Sequence, residues 1–517
     1  MAEEGANLGV EQMRETKPWY RSAHLVRLYA LMLAPMVTCA AWGFDLSMTS
    51  SLQALDQFNE RFDHPSGSRL GFYGACTQVG GMGAMLCVPY VMDRFGRRLP
   101  CFAGALIVVA MAFMQTFALN FGMFIGGKVL LGFGAYVAQI AAPSLITELA
   151  HPQQRSRITN IYQTTIYVGL VAGAWIAYGT QHLPGNAQWQ IPTALQAALP
   201  AYEVLMVWFC PESPRWLVMR GRREEGYDLL VKWHGGGRET ELVRQEYREI
   251  IAGIEQDETA LRFRWADIKK HLSARGNLHR LFICTVVAVG SQCCGSSLIS
   301  AYLPTVLDSV GMTSTKDKTL INGIVNIWSW VVGVTFALLM PRIPRRPLFL
   351  ISTAGMVVTF AIWTGLAAVY DQTGKKSYGI GVVAVIFLYN GFYGCCWLPM
   401  TVAYPIEVVT TKQRGLYFSW TFFVISSSNF IVNYVNPVGL QNLGWKYYTI
   451  TVAFNCLVLA CVFFGFVETK GLSLEQIAAK FDGKLEDLVE QVEHKREIEG
   501  EFMNDEQAGH GKTSREG

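Results

Sequence analysis

Runs of about twenty mainly apolar residues, separated by short polar turns, recur along nearly the whole of this 517-residue chain. Each run is long enough to carry a helix across the hydrocarbon core of a bilayer. Few folds remain open to such a chain, because a backbone in lipid must bond its polar groups internally, as helices and closed barrels do. Composition agrees. The chain is 51% hydrophobic and 16% charged, whereas soluble domains carry about a quarter charged residues. Twelve spans are predicted, near 28–52, 70–92, 100–119, 122–149, 159–181, 190–210, 280–304, 319–340, 347–369, 379–404, 415–437 and 445–467.

Polar sequence is confined to the two ends and one central stretch. The acidic segment from Met1 to about Lys17 lacks the apolar core and cleavage site of a signal peptide, so the first span is expected to be retained. Between spans six and seven, EEGYDLLVKW and RQEYREIIAGIEQDE mix charge and apolar residues at helical spacing. They predict short amphipathic helices on the membrane surface. The tail after Gly471 reads as helical at first and then disordered. All twelve cysteines fall in or beside apolar runs, so no disulfide framework and no luminal domain is expected.

Basic residues cluster after every even-numbered span. Arg94, Arg97 and Arg98 follow span two, and Arg155 and Arg157 follow span four. Arg215, Arg220, Arg222 and Arg223 follow span six; Arg342, Arg345 and Arg346 follow span eight; Lys412 and Arg414 follow span ten. All lie on one side, which the positive-inside rule makes the cytoplasm, with both termini there. The net charge of +3 is scattered over these loops, leaving no basic face for nucleic acid.

The two halves repeat. Asp-Arg-Phe-Gly-Arg-Arg at 93–98 matches Pro-Arg-Ile-Pro-Arg-Arg at 341–346, an offset of 248. Glu148 precedes Arg155 by seven residues, and Glu407 precedes Arg414 by seven. The positive-inside rule explains recurring basic loops but not matched acids at matched spacing. The expected fold is an all-α membrane protein with twelve transmembrane helices in two six-helix bundles, 28–210 and 280–467. A cytoplasmic helical segment, 211–279, joins them, and cytoplasmic tails span 1–27 and 468–517. Such duplication suits a transporter, whose site lies between repeats near the bilayer midplane. Acids at helix ends are expected to pair with arginines of the neighbouring bundle and lock the cytoplasmic side shut in one state. No phosphate loop, zinc spacing or nucleophile constellation is present, and His24 and His151 stand alone. The sequence therefore points to no enzyme, no cofactor and no metal.

The motifs DRFGRR (93–98), ELAHPQQR (148–155), PESPRWL (211–217), YPIEVVTTKQR (404–414), GWKY (444–447) and ETKGLSLE (468–475) resemble the sugar porter family of the major facilitator superfamily. SSLISAYLPTVL (296–307) and LPMTVAYPIEVV (398–409) resemble its fungal lactose-permease branch. The resemblance covers roughly 28–480. It implies one central sugar site with alternating access and functional monomers. It also implies gating salt bridges among Asp93, Arg94, Arg97, Arg98, Glu148, Arg155, Glu212, Arg215, Arg342, Arg345, Arg346, Glu407, Arg414 and Glu468. Gln163 and Gln292 match glutamines that hydrogen-bond sugar hydroxyls. Amides suit a ligand displaying both donors and acceptors, and polar residues at this depth are costly unless they face a cavity or each other.

Departures from the family pattern mark the pocket. Ser291 stands where a first glutamine is usual, and Ser296 and Ser297 where an asparagine is usual. A span-ten tryptophan is replaced by Val402, leaving Trp397 on the same helix. Asn429 and Asn433 share one face of span eleven. Gln163, Gln292, Ser296, Ser297, Trp397, Asn429 and Asn433 are the expected substrate contacts. Pro341 and Pro344 replace the Asp and Gly of the first loop.

Asp45, in AAWGFDLSMTSSL, sits deep in span one, where a carboxylate demands a partner or a proton. Lys128 of span four lies at matching depth, about 10 Å below the surface at a helical rise of about 1.5 Å per residue. The resemblance implies that the acid takes up the coupling proton and that an arginine is usual where Lys128 stands, so lysine is a departure. Expected partners are a sugar, protons and the bilayer, in a multi-pass plasma-membrane protein. The alternatives are carriage of a polyol, a quinate-like acid or a secondary metabolite, and a non-transporting sugar sensor.

Overall fold

The computed structural model describes residues 19–260, 275–409, 414–470, 476–477 and 480–481. The predicted N-terminal tail up to Lys17, Lys412 and most of the predicted tail helix lie outside the described residues, as does the Arg414 side chain.

Five helices follow the first five apolar runs: α1 (Ala23–Ala54), α2 (Gly67–Phe95), α3 (Arg98–Thr116), α4 (Phe121–Leu149) and α5 (Arg155–Thr180). The sixth, α6, is broken into Ala187–Leu195 and Ala198–Met206. Three more helices come next: α7 (Pro214–Met219), α8 (Arg223–Trp233) and α9 (Glu241–Ala260). The second half begins with α10 (Arg275–Cys293), extended by the short helices Ser296–Ser300 and Leu303–Ser309. It continues through α11 (Thr315–Leu339), α12 (Arg345–Thr373), α13 (Lys376–Val408), α14 (Arg414–Leu443) and α15 (Tyr447–Gly465). Nine stretches of the described residues are long and apolar enough to span a membrane, one of them covering both α14 and α15. With α5 and the broken α6 the twelve helices are complete.

The predicted spans six and seven are single helices, and the structure corrects both. Pro200 has no N–H for the Gln196 carbonyl, so α6 breaks at Gln196–Ala197. Span seven breaks at Gly295, whose φ of +103° suits glycine. It breaks again before Leu303, where Pro304 cannot donate to Ser300.

In the first half α1 packs on α5, and α4 on α2 and α3; in the second, α12 packs on α13 and α15, and α10 on α14. Gly43 and Gly169 let α1 and α5 approach until each faces the other helix's carbonyls, at Ile166 and Ala40. The halves meet along α2 against α14 and α5 against α11.

On the side opposite the arginine clusters, hydrogen bonds stitch the halves together. Gln53 Nε2 donates to the Ala301 carbonyl at 2.8 Å, and Asn322 Nδ2 to Ser51 Oγ at 3.0 Å. Thr319 Oγ1 donates to Gln181 Oε1 at 3.1 Å, and Thr315 Oγ1 to Asp56 Oδ2 at 2.8 Å. That end is closed.

On the basic side, a buried polar cluster docks α8 and α9 onto the α4–α5 turn. His234 Nδ1 lies 2.6 Å from Glu246 Oε2 and Nε2 lies 3.1 Å from the Leu149 carbonyl. Arg155 Nη2 also reaches Glu246, at 3.1 Å. The His151 ring packs edge-on to His234 at 5.4 Å. Burial, reinforced by His234, pushes His151 down to about 4.

Candidate functional site

Asp45 and Lys128 meet. Lys128 Nζ lies 3.7 Å from Asp45 Oδ1, with both side chains buried. The ammonium also donates to Thr49 Oγ1 at 2.8 Å and rests 4.7 Å from the centre of the Tyr73 ring. The broken turn of α6 presents Gln196, whose Nε2 donates to Asp45 Oδ1 at 3.2 Å. Asp45 Oδ2 is buried without a partner.

A second acid completes this network. Glu203 on α6 is buried and accepts from Thr38 Oγ1 of α1 at 2.8 Å. Thr38 and Asp45 are seven residues apart, as are Gln196 and Glu203, so the antiparallel helices are joined at two rungs about 10 Å apart. Between the rungs lies a cavity of about 20 Å³ lined by Thr38, Asp45, Gln196 and Glu203. That is room for one water. Glu203 gives the same sequence signal as Asp45, an isolated acid in the apolar run LPAYEVLMVW, and is absent from the expected site.

The basic ends of the two halves are built alike. Arg97 holds Glu148 through Nε at 3.0 Å and Nη2 at 3.3 Å. Arg345 holds Glu407 through Nη2 at 3.0 Å and Nε at 3.3 Å. Glu212 accepts the backbone N–H groups of Arg97 and Arg98 at 3.0 and 3.2 Å, and Glu468 those of Arg345 and Arg346 at 2.9 and 3.0 Å. Each acid thus caps the positive end of a helix, α3 or α12. Burial alone would raise Glu468, but the amides of Lys470, Arg345, Arg346 and Thr469 outweigh it and hold the carboxyl below its usual range. Arg98 donates to the Trp208 and Cys210 carbonyls and Arg346 to that of Phe463.

These contacts lie inside each half; the expected lock between bundles belongs to a state closed on the basic side, whereas here the opposite end is the closed one. Among the described residues, Glu148 and Glu407 each pair inside their own half, because α2, α3 and α4, like α11, α12 and α13, bring loop and acid together locally. Asp93 and Arg94 engage α7 and its C-terminal turn through their carbonyls, which accept from Trp216 and Arg220. Arg155 pairs with Glu246 rather than with a loop acid. The Arg342 carbonyl accepts from Lys470, and Arg215 lies beside Gly253 of α9.

The expected substrate contacts divide. Gln292 Nε2 donates to Ser291 Oγ at 3.1 Å, and Ser296 Oγ and Tyr393 O–H both donate to the Ser291 carbonyl. Ser297 accepts from Asn436. Asn433 donates to Asn429, and its carbonyl accepts from Tyr302. Gln163 stands exposed on α5. Trp397 is corrected: it is fully buried inside the second half, donating to Thr353 at 3.1 Å and packing on Phe349. Its indole N–H is satisfied there. Tyr393, one turn earlier, reaches the broken helix instead.

The family model described as "Sugar (and other) transporter" matches residues 31–481. The chain belongs to the sugar transporter family. A probable quinate permease of Aspergillus niger is 27% identical over 493 residues, 92% of this chain and 91% of that protein. A high-affinity glucose transporter of Kluyveromyces lactis is 25% identical over 472 residues, 88% of this chain and 85% of that protein. The inward-open xylose transporter XylE of E. coli superposes with a TM-score of 0.71 at 19% identity, covering 87% of this chain and 99% of XylE. The protein is therefore a multi-pass membrane transporter of the major facilitator fold.

Proposed function

We propose that this sugar transporter family member imports a neutral sugar with a proton, by alternating access, as a monomer in the plasma membrane. The basic side is the cytoplasm. The observation that carries this reading is the Asp45–Lys128–Gln196 cluster, one rung from Glu203. A carboxylate with one unpartnered buried oxygen is a site for a proton, and its cation neighbour ties its charge to the position of α4 against α1. Glu203, across a water-sized cavity on the basic side of Asp45, is the next proton station. Gln163, Gln292, Ser296, Ser297, Asn429 and Asn433 supply the amides and hydroxyls for a sugar. The Arg97–Glu148 and Arg345–Glu407 braces hold the inner helix ends of each half as rigid units while the outer seal opens.

The quinate permease relatives favour a second reading, an acid substrate. An acid needs a cation in its pocket, and Lys128 is already satisfied by Asp45, Thr49 and Tyr73. The test is uptake of labelled lactose, cellobiose, maltose, glucose and quinate at pH 5 and pH 7, in cells lacking sugar carriers. Sugar uptake that rises at pH 5 and collapses with a protonophore is expected. Uptake indifferent to both overturns symport, and quinate uptake alone overturns the sugar. Asp45→Asn should abolish accumulation yet leave exchange of labelled for unlabelled sugar.

A further inference from the structure

His151 lies just past the basic end of α4, away from the Asp45 network. It is 1% exposed, and among the described residues neither ring nitrogen has a hydrogen-bond partner. We propose that His151 is a proton sensor: acid on the basic side charges it, which releases α9 from the α4–α5 turn and slows transport.

The surroundings disfavour a charge. His24 of α1, Arg155 at the start of α5, His234 just past α8 and Glu246 of α9 face the ring. Three of the four are basic. The one acid is already shared, since Glu246 Oε1 takes Arg155 and Oε2 takes His234. A charged His151 would bury two unmet donors beside three basic groups. Water reaches the ring only when part of this cover lifts.

Of that cover, α9 is the part most easily lifted. Within residues 241–254, Val243 and Glu246 are the buried side chains, whereas Arg244, Arg248 and Glu249 are exposed. One of the two anchors of α9 is thus the acid that faces His151. The turn before α9 carries three successive glycines, Gly235 to Gly237. Gly236 and Gly237 have φ of +63° and +83°, and a Cβ at Gly236 would lie 3.0 Å from the His24 ring. Such a turn has the freedom of a hinge.

The clamp bears on working helices. His234 holds the Leu149 carbonyl, at the end of the helix that carries Lys128. Glu246 holds Arg155, at the start of the helix that carries Gln163. Releasing α9 unties the two. The sensor reads the side that the proposed function takes as the cytoplasm, where symported protons arrive, but its chemistry does not depend on the substrate.

The sign and size follow from linkage. Burial, reinforced by His234, lowers the docked value to about 4, against an ordinary 6.5. Docking is therefore at full strength above pH 6.5 and weakens as pH falls toward 4. Between pH 7.5 and pH 5.5 the released fraction rises roughly ten-fold.

The test is hydrogen–deuterium exchange of the full-length protein in nanodiscs at pH 7.5 and pH 5.5, with labelling times rescaled for the intrinsic rate. Wild type, His151→Phe and His151→Gln are compared. In wild type, exchange within α9 should speed up roughly ten-fold at pH 5.5, while α4 stays protected. Both variants should change by less than about two-fold. Unchanged protection of α9 in wild type, or an equal rise in the variants, would overturn the proposal. In proteoliposomes, sugar exchange by His151→Gln should outpace wild type about two-fold or more at pH 5.5 and match it at pH 7.5. Equal rates at both values would overturn the control of transport. Failure of every sugar to exchange overturns the sugar reading and not this one, which the hydrogen exchange of α9 then decides.

Discussion

Lys128→Met isolates the buried pair on which the proton site rests. At 3.7 Å and an effective dielectric near 20, the attraction to Asp45 is about 4 kcal/mol. Removing one member of a buried pair costs about 3–5 kcal/mol, because the other is left as a buried charge. Gln196 still donates to Asp45, so the loss should fall near the lower bound, about 3 kcal/mol. Asp45→Asn should cost less, about 2 kcal/mol, since Lys128 keeps Thr49 and the Tyr73 ring. With both changes no charge is stranded, and the double variant should lose only about 2 kcal/mol, roughly 3 less than the sum. Thermal unfolding in detergent reads this as roughly 1–2 °C per kcal/mol for a chain of this length. A double variant that equals the sum of the singles within about 0.5 kcal/mol would show the two groups to be uncoupled and would remove the basis for the proton site.

Acid should destabilise the basic-side cluster through His151. Its folded value of about 4 lies below the ordinary 6.5, so the folded state binds fewer protons. Stability is full above pH 6.5 and falls as pH drops toward 4, by up to about 3 kcal/mol. The unfolding midpoint of wild type minus that of His151→Phe should therefore fall between pH 7 and pH 5; a constant difference contradicts the assignment. Gly295→Ala combines a φ of +103° with a Cβ only 2.5 Å from the Phe360 ring. It should cost about 2–4 kcal/mol and lower the yield of monodisperse protein in size-exclusion chromatography, whereas wild-type behaviour would mean that the α10 break is not held by Gly295.

The spans, their number and the pairing of Asp45 with Lys128 could be read from the chain because each rests on a one-dimensional quantity, apolar length or depth along a helix. What escaped depends on direction around the helix. Trp397 and Val402 are five residues apart on α13, and apolar pattern alone does not say that Trp397 turns toward Thr353. The breaks at Gln196 and Gly295 hide in continuous hydrophobic runs, although Pro200, Pro304 and Gly295 carry them. Glu203 was legible by the same rule as Asp45. The basic-end pairs were matched in sequence across the halves, but matching in sequence does not imply contact in space: the repeat produces two copies of one internal brace.

Glu212 and Glu468 hold backbone amides, not side chains. The two loops they cap are therefore shaped in part by what arrives from the end of each half, although the first also needs Gly96, whose φ is +91° and where a Cβ would meet the Glu212 carboxylate. That is how the second loop can carry proline where the first carries aspartate and glycine and still present Arg345 to Glu407 as Arg97 is presented to Glu148. In such a transporter, a substitution search for the residue that sets loop geometry should be made at the far end of the half, more than a hundred residues from the loop itself.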